Sequence, residues 1–184
     1  MLFYAVLLII PLLVVFGLIS MYNGLVAMRR DCDNALSQID VQLKRRYDLI
    51  PNLVETVKGY MKFESETLEK VIQARNLALG ARTVSEKSNA DAAVTSALNG
   101  FFAVSEAYPD LKSSSNMLSL QEELKSTENK VSFARQYYND SVTRLNTKIE
   151  QFPSSILAGM GGFKAKELFV LEEPEARQAV KVQF

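Results

Sequence analysis

No histidine occurs anywhere in the 184 residues, and Cys32 is the single cysteine. The first absence removes the commonest metal ligand and the commonest general base near neutral pH. Cys32 and the serines therefore lack the base that activates a nucleophile. The Glu-x-x-His pair that di-iron helical bundles require is missing for the same reason. One cysteine also excludes an internal disulfide framework. Cys32 lies on an apolar helical stripe and reads as a small core residue. Charge of either sign is not in excess: 21 Lys and Arg balance 21 Asp and Glu. That excludes the basic footprint of a nucleic-acid binder and an acidic solvating tail. A carboxylate-only magnesium or calcium site is compatible with this composition, although no D-x-D-x-D-G loop is present. The glycine cluster "GMGGF" lacks the Lys-Ser/Thr of a phosphate-binding loop. The residues thus point to no catalytic site, no bound cofactor or metal and no nucleic-acid partner.

What the chain does have is a long apolar run. Leu2 to Ile19, "LFYAVLLIIPLLVVFGLI", holds no charged side chain. As a helix it covers about 27 Å, close to the roughly 30 Å of a bilayer's hydrocarbon core. Pro11 and Gly17 are tolerable there, and Met21 and Tyr22 extend the segment into the interface. A cleaved signal peptide is the rival, but it needs a basic start and a small-x-small cleavage site. "GLISMYNG" is a poor one. Residues 1–21 therefore read as a transmembrane helix in the lipid bilayer. Arg29, Arg30, Lys44, Arg45 and Arg46 follow it and no basic residue precedes it. The positive-inside rule then places the N-terminus outside and the rest in the cytoplasm. A reduced, lone cysteine suits that compartment. Arg29 and Arg30 are close enough to the span to be candidate lipid-headgroup contacts. Lys44 to Arg46 lie some 35 Å along a helix, too far for the same role.

Beyond the span, apolar residues recur at helical spacing: Val26, Cys32, Leu36, Ile39, Leu43, Tyr47, Ile50, Val54, Val57, Met61, Leu68, Ile72 and Leu79. The stripe crosses Pro51 in phase. One kinked helix is therefore possible, with Pro51 as its hinge. The alternative is a hairpin at Tyr47–Leu49. Lys44, Arg45 and Arg46 suit a helix C-terminus, Asp48 suits an N-cap, and Pro51 suits a first turn. The hairpin is preferred, because one helix from Leu2 to Leu79 would be about 115 Å long. Further on, Gly80 is expected as a C-cap and Ser85 as the N-cap of an alanine-rich helix from about Glu86 to Tyr108. Pro109 stops that helix.

A last long helix is expected from about Asn116 to Phe152. Its seam is Met117, Leu120, Leu124, Thr127, Val131, Ala134, Tyr138, Ser141, Leu145, Lys148 and Phe152. The mean step is about 3.5 residues, heptad-like as in a coiled coil. Core packing in an antiparallel bundle is its simplest use, and pairing with another subunit is the sharper one. After Pro153 the chain changes character. Gly159, Gly161 and Gly162 suggest a hinge, and "VKVQF" carries a weak strand alternation. The expected fold is all-α: one N-terminal transmembrane helix (1–21), an antiparallel up-and-down bundle of four helices (22–152), and a Gly-containing hinge with an irregular tail (153–184).

Several stretches together resemble the LemA family of small bacterial membrane proteins. They are "YNGLV" at Tyr22, "SQIDVQLKRRYDLIPNLVETVKGY" from Ser37, "LQEELKSTENKVSFARQYYND" from Leu120, "FPSSILA" at Phe152 and the closing "EPEARQAVKVQF". The resemblance implies one N-terminal span, an extracytoplasmic N-terminus, an antiparallel helical bundle and no known enzyme activity. Where the family often has His-Glu after "KGY", this chain has Phe63 and Glu64, so any role resting on that histidine is absent. The function expected is a membrane-anchored, non-enzymatic helical scaffold or interaction protein, self-assembling as a homo-oligomer. The alternative is a modulator or adaptor of membrane proteolysis or the envelope stress response. It rests on the family's genomic company with membrane metalloproteases, which makes such a protease a candidate partner.

Overall fold

A computed structural model of the chain describes residues 2–58 and 65–170, with side chains from Ile9 onward. The described residues form six helices and no strand: α1 (Leu2–Lys58), α2 (Ser65–Gly80), α3 (Val84–Ser105), α4 (Pro109–Lys112), α5 (Ser115–Glu150) and α6 (Ser154–Met160). The chain is all-α, as its periodicity predicts. It divides into two compact units. The first joins Met1–Asp40 to Ser132–Leu168, the second Val41–Val131 to Phe169–Phe184.

The hairpin expected at Tyr47–Leu49 does not form. α1 runs through Pro51 without a break. Asp48 is no N-cap: it sits inside the helix on the surface, 2.7 Å from Lys44 Nζ one turn earlier. Pro51 is no first-turn residue; it is helix interior, with its ring exposed. The physical reason lies in α2. An interior proline has no N–H to give to the carbonyl four residues back. Here that carbonyl belongs to Tyr47, and Arg75 Nε donates to it at 2.9 Å. The bond that the proline deletes is replaced from a neighbouring helix, so the helix persists. The buried positions Leu43, Arg46, Tyr47, Ile50, Leu53 and Val57 keep one phase across it.

The contact of Arg75 with Tyr47 also places α2 beside this part of α1. The stripe does lose phase between Lys58 and Ser65. α2 buries Val71, Ala74 and Ala78, whereas Ile72 and Leu79, expected inside, are exposed. Small residues on the buried face of α2 permit close packing with α3. That helix begins at Thr83 rather than Ser85. The Thr83 hydroxyl accepts from Glu86 N–H and the Glu86 carboxylate accepts from Thr83 N–H, a reciprocal capping box. α3 contributes Val94, Leu98 and Phe101 to the second unit's core, α4 Leu111, and α5 Met117, Leu124 and Val131.

In the first unit, Leu25, Cys32, Ala35 and Ile39 of α1 are buried, as are Tyr138, Val142 and Leu145 of α5. The seam of α5 is thus spent on its own chain's core. Phe152, its expected last member, lies past the end of α5 and is 82% exposed. The glycine cluster closes α6. Phe163 N–H donates to Ala158 O at 2.9 Å and Gly162 N–H to Gly159 O at 3.3 Å, with Gly162 at φ +66°. This pair of bonds is a Schellman motif, and glycine carries the left-handed residue without strain. The strand expected at "VKVQF" lies outside the described residues.

The replaced bond yields a prediction. Arg75→Ala should cost about 1–3 kcal/mol, the range for leaving a buried carbonyl without its charged donor. Pro51→Ala restores the Tyr47 bond within α1 and should remove most of that cost. Chemical unfolding of the two single variants and the double variant measures the coupling. A hairpin at Tyr47–Leu49 would give none.

Candidate functional site

The second unit buries two opposite charges, Asp91 at 0% exposed and Arg46 at 2%, the latter within the "LKRRYDLIP" stretch. Residues 43, 46, 50, 53 and 57 step by three and four, which turns Arg46 inward while Arg45 stays outside, 3.1 Å from Glu123. Arg46 Nη1 donates to Asp91 Oδ1 at 2.9 Å and to Thr95 Oγ1 at 3.0 Å. Glu128 Oε1 stands 3.9 Å from Nη2. Asp91 is fully buried. Taking two ions out of water costs several kcal/mol each; the direct pair and the Thr95 bond offset part of it, while Arg46 Nε is buried with no hydrogen-bond partner among the described residues. The centre is closed and saturated on the Nη1 side, suited to holding helices together. A separate open groove of about 640 Å³ lies between α2 and α3, lined by Ala74, Ala93, Ala97 and Gly100, with Lys70 at its wall.

The first unit has a different polar centre. Asp31 accepts from Tyr137 Oη at 2.8 Å, Ser141 Oγ at 2.9 Å and Arg144 Nη2 at 3.2 Å. The Tyr137 hydroxyl bond, then those of Ser141 and Arg144, hold the Asp31 carboxyl below the usual range against an opposing burial effect. The same bond pushes the Tyr137 phenol up. Next to it, the segment after α6 is strapped onto α5. Asn146 makes two bonds to the backbone of Lys166, each 2.9 Å. Tyr138 Oη donates to Glu167 O at 2.9 Å, and Lys166 Nζ reaches Asp33 at 2.7 Å. Burial pushes the Tyr138 phenol up to about 12 and raises the Cys32 thiol as well.

At the end of this unit Phe163 meets α1. Its ring lies edge-on to Tyr22, with centroids 5.7 Å apart, and the Arg29 guanidinium lies 5.1 Å over it. Arg29 and Arg30, the candidate headgroup contacts, are both exposed, but Arg29 is also engaged with Phe163. Asp48 and Pro51 are far from any such centre in role: one is a surface ion-pair partner, the other an exposed helix residue. Arg46 was visible in the sequence only as one of three adjacent cations, and Asp91 as one acid among 21. The one usable signal was phase, since Arg46 falls on the apolar stripe.

A family model described as the LemA family matches residues 35–184. The chain belongs to the LemA family. It is 31% identical over 140 residues to Protein LemA of Metamycoplasma hominis, covering 74% of this chain and 63% of that one. It is 25% identical over 178 residues to Magnetosome protein MamQ of Magnetospirillum gryphiswaldense and to Magnetosome protein MamQ 1 of Paramagnetospirillum magneticum, covering 83% of this chain and 65% of each. The chain thus spans slightly less than two thirds of the length of these relatives. The match of this LemA-family chain to the family includes Arg46, Asp91, Pro51 and Arg75, so both helix-joining contacts lie within the shared region.

Removing one member of the buried pair leaves the other charge stranded. Asp91→Leu should destabilise the protein by about 3–5 kcal/mol, while Arg46→Met together with Asp91→Leu should recover most of that loss. Urea titration followed by helical circular dichroism is the measurement. Equal losses in the single and double variants would mean that the pair does not act as a unit.

Proposed function

We propose that this LemA-family protein is a membrane-anchored helical scaffold or interaction protein without enzymatic activity. The observation that carries this reading is the exposure of the apolar start of α1. Its 18-residue window has a mean hydropathy of 2.1 and is 6% buried within the fold. Leu12, Leu13, Val14, Val15 and Phe16 are each more than half exposed. Water is a poor solvent for such a surface, and a bilayer is the matching one. The same helix continues without a break and buries Leu25, Cys32, Ala35 and Ile39 in the first unit. A scaffold needs that continuity, because it transmits the position of the anchor to the bundle.

The segment spans the bacterial cytoplasmic membrane with its N-terminus outside and the bundle in the cytoplasm. The support is Arg29 and Arg30, which follow the apolar segment closely. The relatives named magnetosome proteins support a role in a larger assembly, and self-association is the form of it proposed for this chain.

Two measurements test the reading. Phe133 is 72% exposed and Cys32 fully buried. A membrane-impermeant thiol reagent applied to intact cells (with any outer membrane permeabilised) should leave Phe133→Cys protein unlabelled until the cytoplasmic membrane is broken. Labelling in intact cells reverses the orientation. The mass of the full chain in mild detergent should rise with concentration. A monomer throughout removes self-assembly, and a protease copurifying from native membranes would favour an adaptor role instead.

A further inference from the structure

The helix α6 is built the wrong way round for water. It buries its small residues, Ser154 and Ala158, each 1% exposed. It presents its large ones, Ile156 at 57% and Met160 at 82%, one turn apart on the opposite face. Phe152, just before it, is 82% exposed. Burial of Ser154 and Ala158 has clear causes. The Ser154 hydroxyl lies 2.7 Å from Lys148 O and 2.9 Å from Gln151 O, which satisfies carbonyls at the end of α5. The Ala158 carbonyl closes the Schellman turn. Among the described residues nothing comparable accounts for the exposure of Phe152, Ile156 and Met160. A contiguous patch of this kind marks a contact surface.

The position of α6 says what that surface meets. Its C-terminal turn packs on Tyr22: a Cβ added to Gly161 would lie 3.0 Å from the Tyr22 ring, and Phe163 stacks edge-on against it. Tyr22 follows Ile19, the end of the apolar run, by three residues, or about 4.5 Å of helix. A span that fills the hydrocarbon puts Tyr22 at headgroup level, where aromatic side chains collect. Met160 immediately precedes Gly161, so the exposed C-terminal end of α6 stands beside Tyr22. Charge agrees with this placement. Residues 151–166 contain no acidic side chain, and the exposed Lys164 follows the patch. Arg29 is held beside it over the Phe163 ring. Apolar side chains flanked by cations are the composition of a segment lying in an anionic membrane surface.

We infer that Phe152, Ile156 and Met160 insert into the bilayer interface beside the α1 span, giving the bundle a second point of attachment. The inference rests on the anchored reading above. It adds that the membrane-proximal unit is held flat against the lipid at two places and cannot swivel on a single helix.

The protein contains no tryptophan, so an introduced one reports alone. The full chain is reconstituted in anionic bilayers with and without brominated lipid, and also titrated with acrylamide in water. The variants are Ile156→Trp, Met160→Trp, Phe133→Trp and Leu13→Trp. Leu13 sits in the span, and Phe133 is an exposed α5 residue. Brominated lipid should quench the Ile156→Trp and Met160→Trp proteins several-fold more than the Phe133→Trp protein, and acrylamide should do the reverse. Quenching of Leu13→Trp by brominated lipid, with the two α6 variants behaving like Phe133→Trp, overturns the inference and leaves the anchor intact. No lipid quenching of Leu13→Trp overturns the anchored reading and the inference with it. Protection of the α6 variants from both quenchers means that another protein surface covers the patch, and also overturns it.

Discussion

The fold turns on one replaced hydrogen bond. Pro51 removes the donor that would serve the Tyr47 carbonyl, and a buried carbonyl without a partner destabilises a structure by about 1–3 kcal/mol. A helix faced with that cost ends or bends. Arg75 supplies the missing donor from α2, at 2.9 Å. Two consequences follow. α1 keeps its register, so Leu43, Ile50, Leu53 and Val57 stay on one buried face. Arg46 then falls on that face too and is carried to Asp91. A turn at Tyr47–Leu49 would have split the stripe and left Arg46 at a helix end in water. The bond that repairs the proline therefore also makes the buried ion pair possible.

The misreading of this stretch is instructive because every local signal in it was sound. Three adjacent cations, an aspartate and a proline do mark helix boundaries when nothing distant intervenes. What intervened is 28 residues away for Arg75 and 45 away for Asp91, and a local window contains neither. Features governed by local physics were legible. The α5 seam correctly gave Met117, Leu124, Val131, Tyr138 and Leu145 as core, and even its polar lapse Ser141 is buried, because Asp31 accepts its hydroxyl. Pro109 ended a helical stretch and opened the short α4. Phe152 failed because periodicity was extended two residues past the end of α5. Ile72 and Leu79 failed because the stripe was carried across residues 59–64 into a helix with its own phase.

Two solvents leave different marks on this chain. In the second unit the rule is the aqueous one: Val71, Ala74 and Ala78 go inside while Glu66 and Lys70 pair on the surface at 2.8 Å. At the start of α1 the apolar residues are outside. Composition made this contrast readable, since a run without charge is visible in any window. The outward face of α6 was not readable in the same way. "FPSSILAGMGGF" reads as a short apolar segment whichever side it buries, and only the Schellman turn and the contact with Tyr22 decide which side that is.

The buried pair is best understood as setting register. Its net stabilising effect against an apolar replacement is small, since desolvation offsets most of the attraction. Specificity is another matter. α3 buries Ser88, Asp91, Val94, Leu98, Phe101 and Ser105, while its alanines lie half-buried or exposed. Asp91 occupies a buried position between Ser88 and Val94 on that helix. A one-turn slip would bring Lys87 or Thr95 opposite Arg46 in its place. The first would set two cations together in a low-dielectric site, and the second would leave a buried guanidinium without a counter-ion. Either carries the cost of an uncompensated buried charge. The observed arrangement pairs Arg46 with Asp91 and uses Thr95, one turn on, as a second acceptor. The charged pair thereby favours the same alignment of α3 on α1 that buries Val94, Leu98 and Phe101.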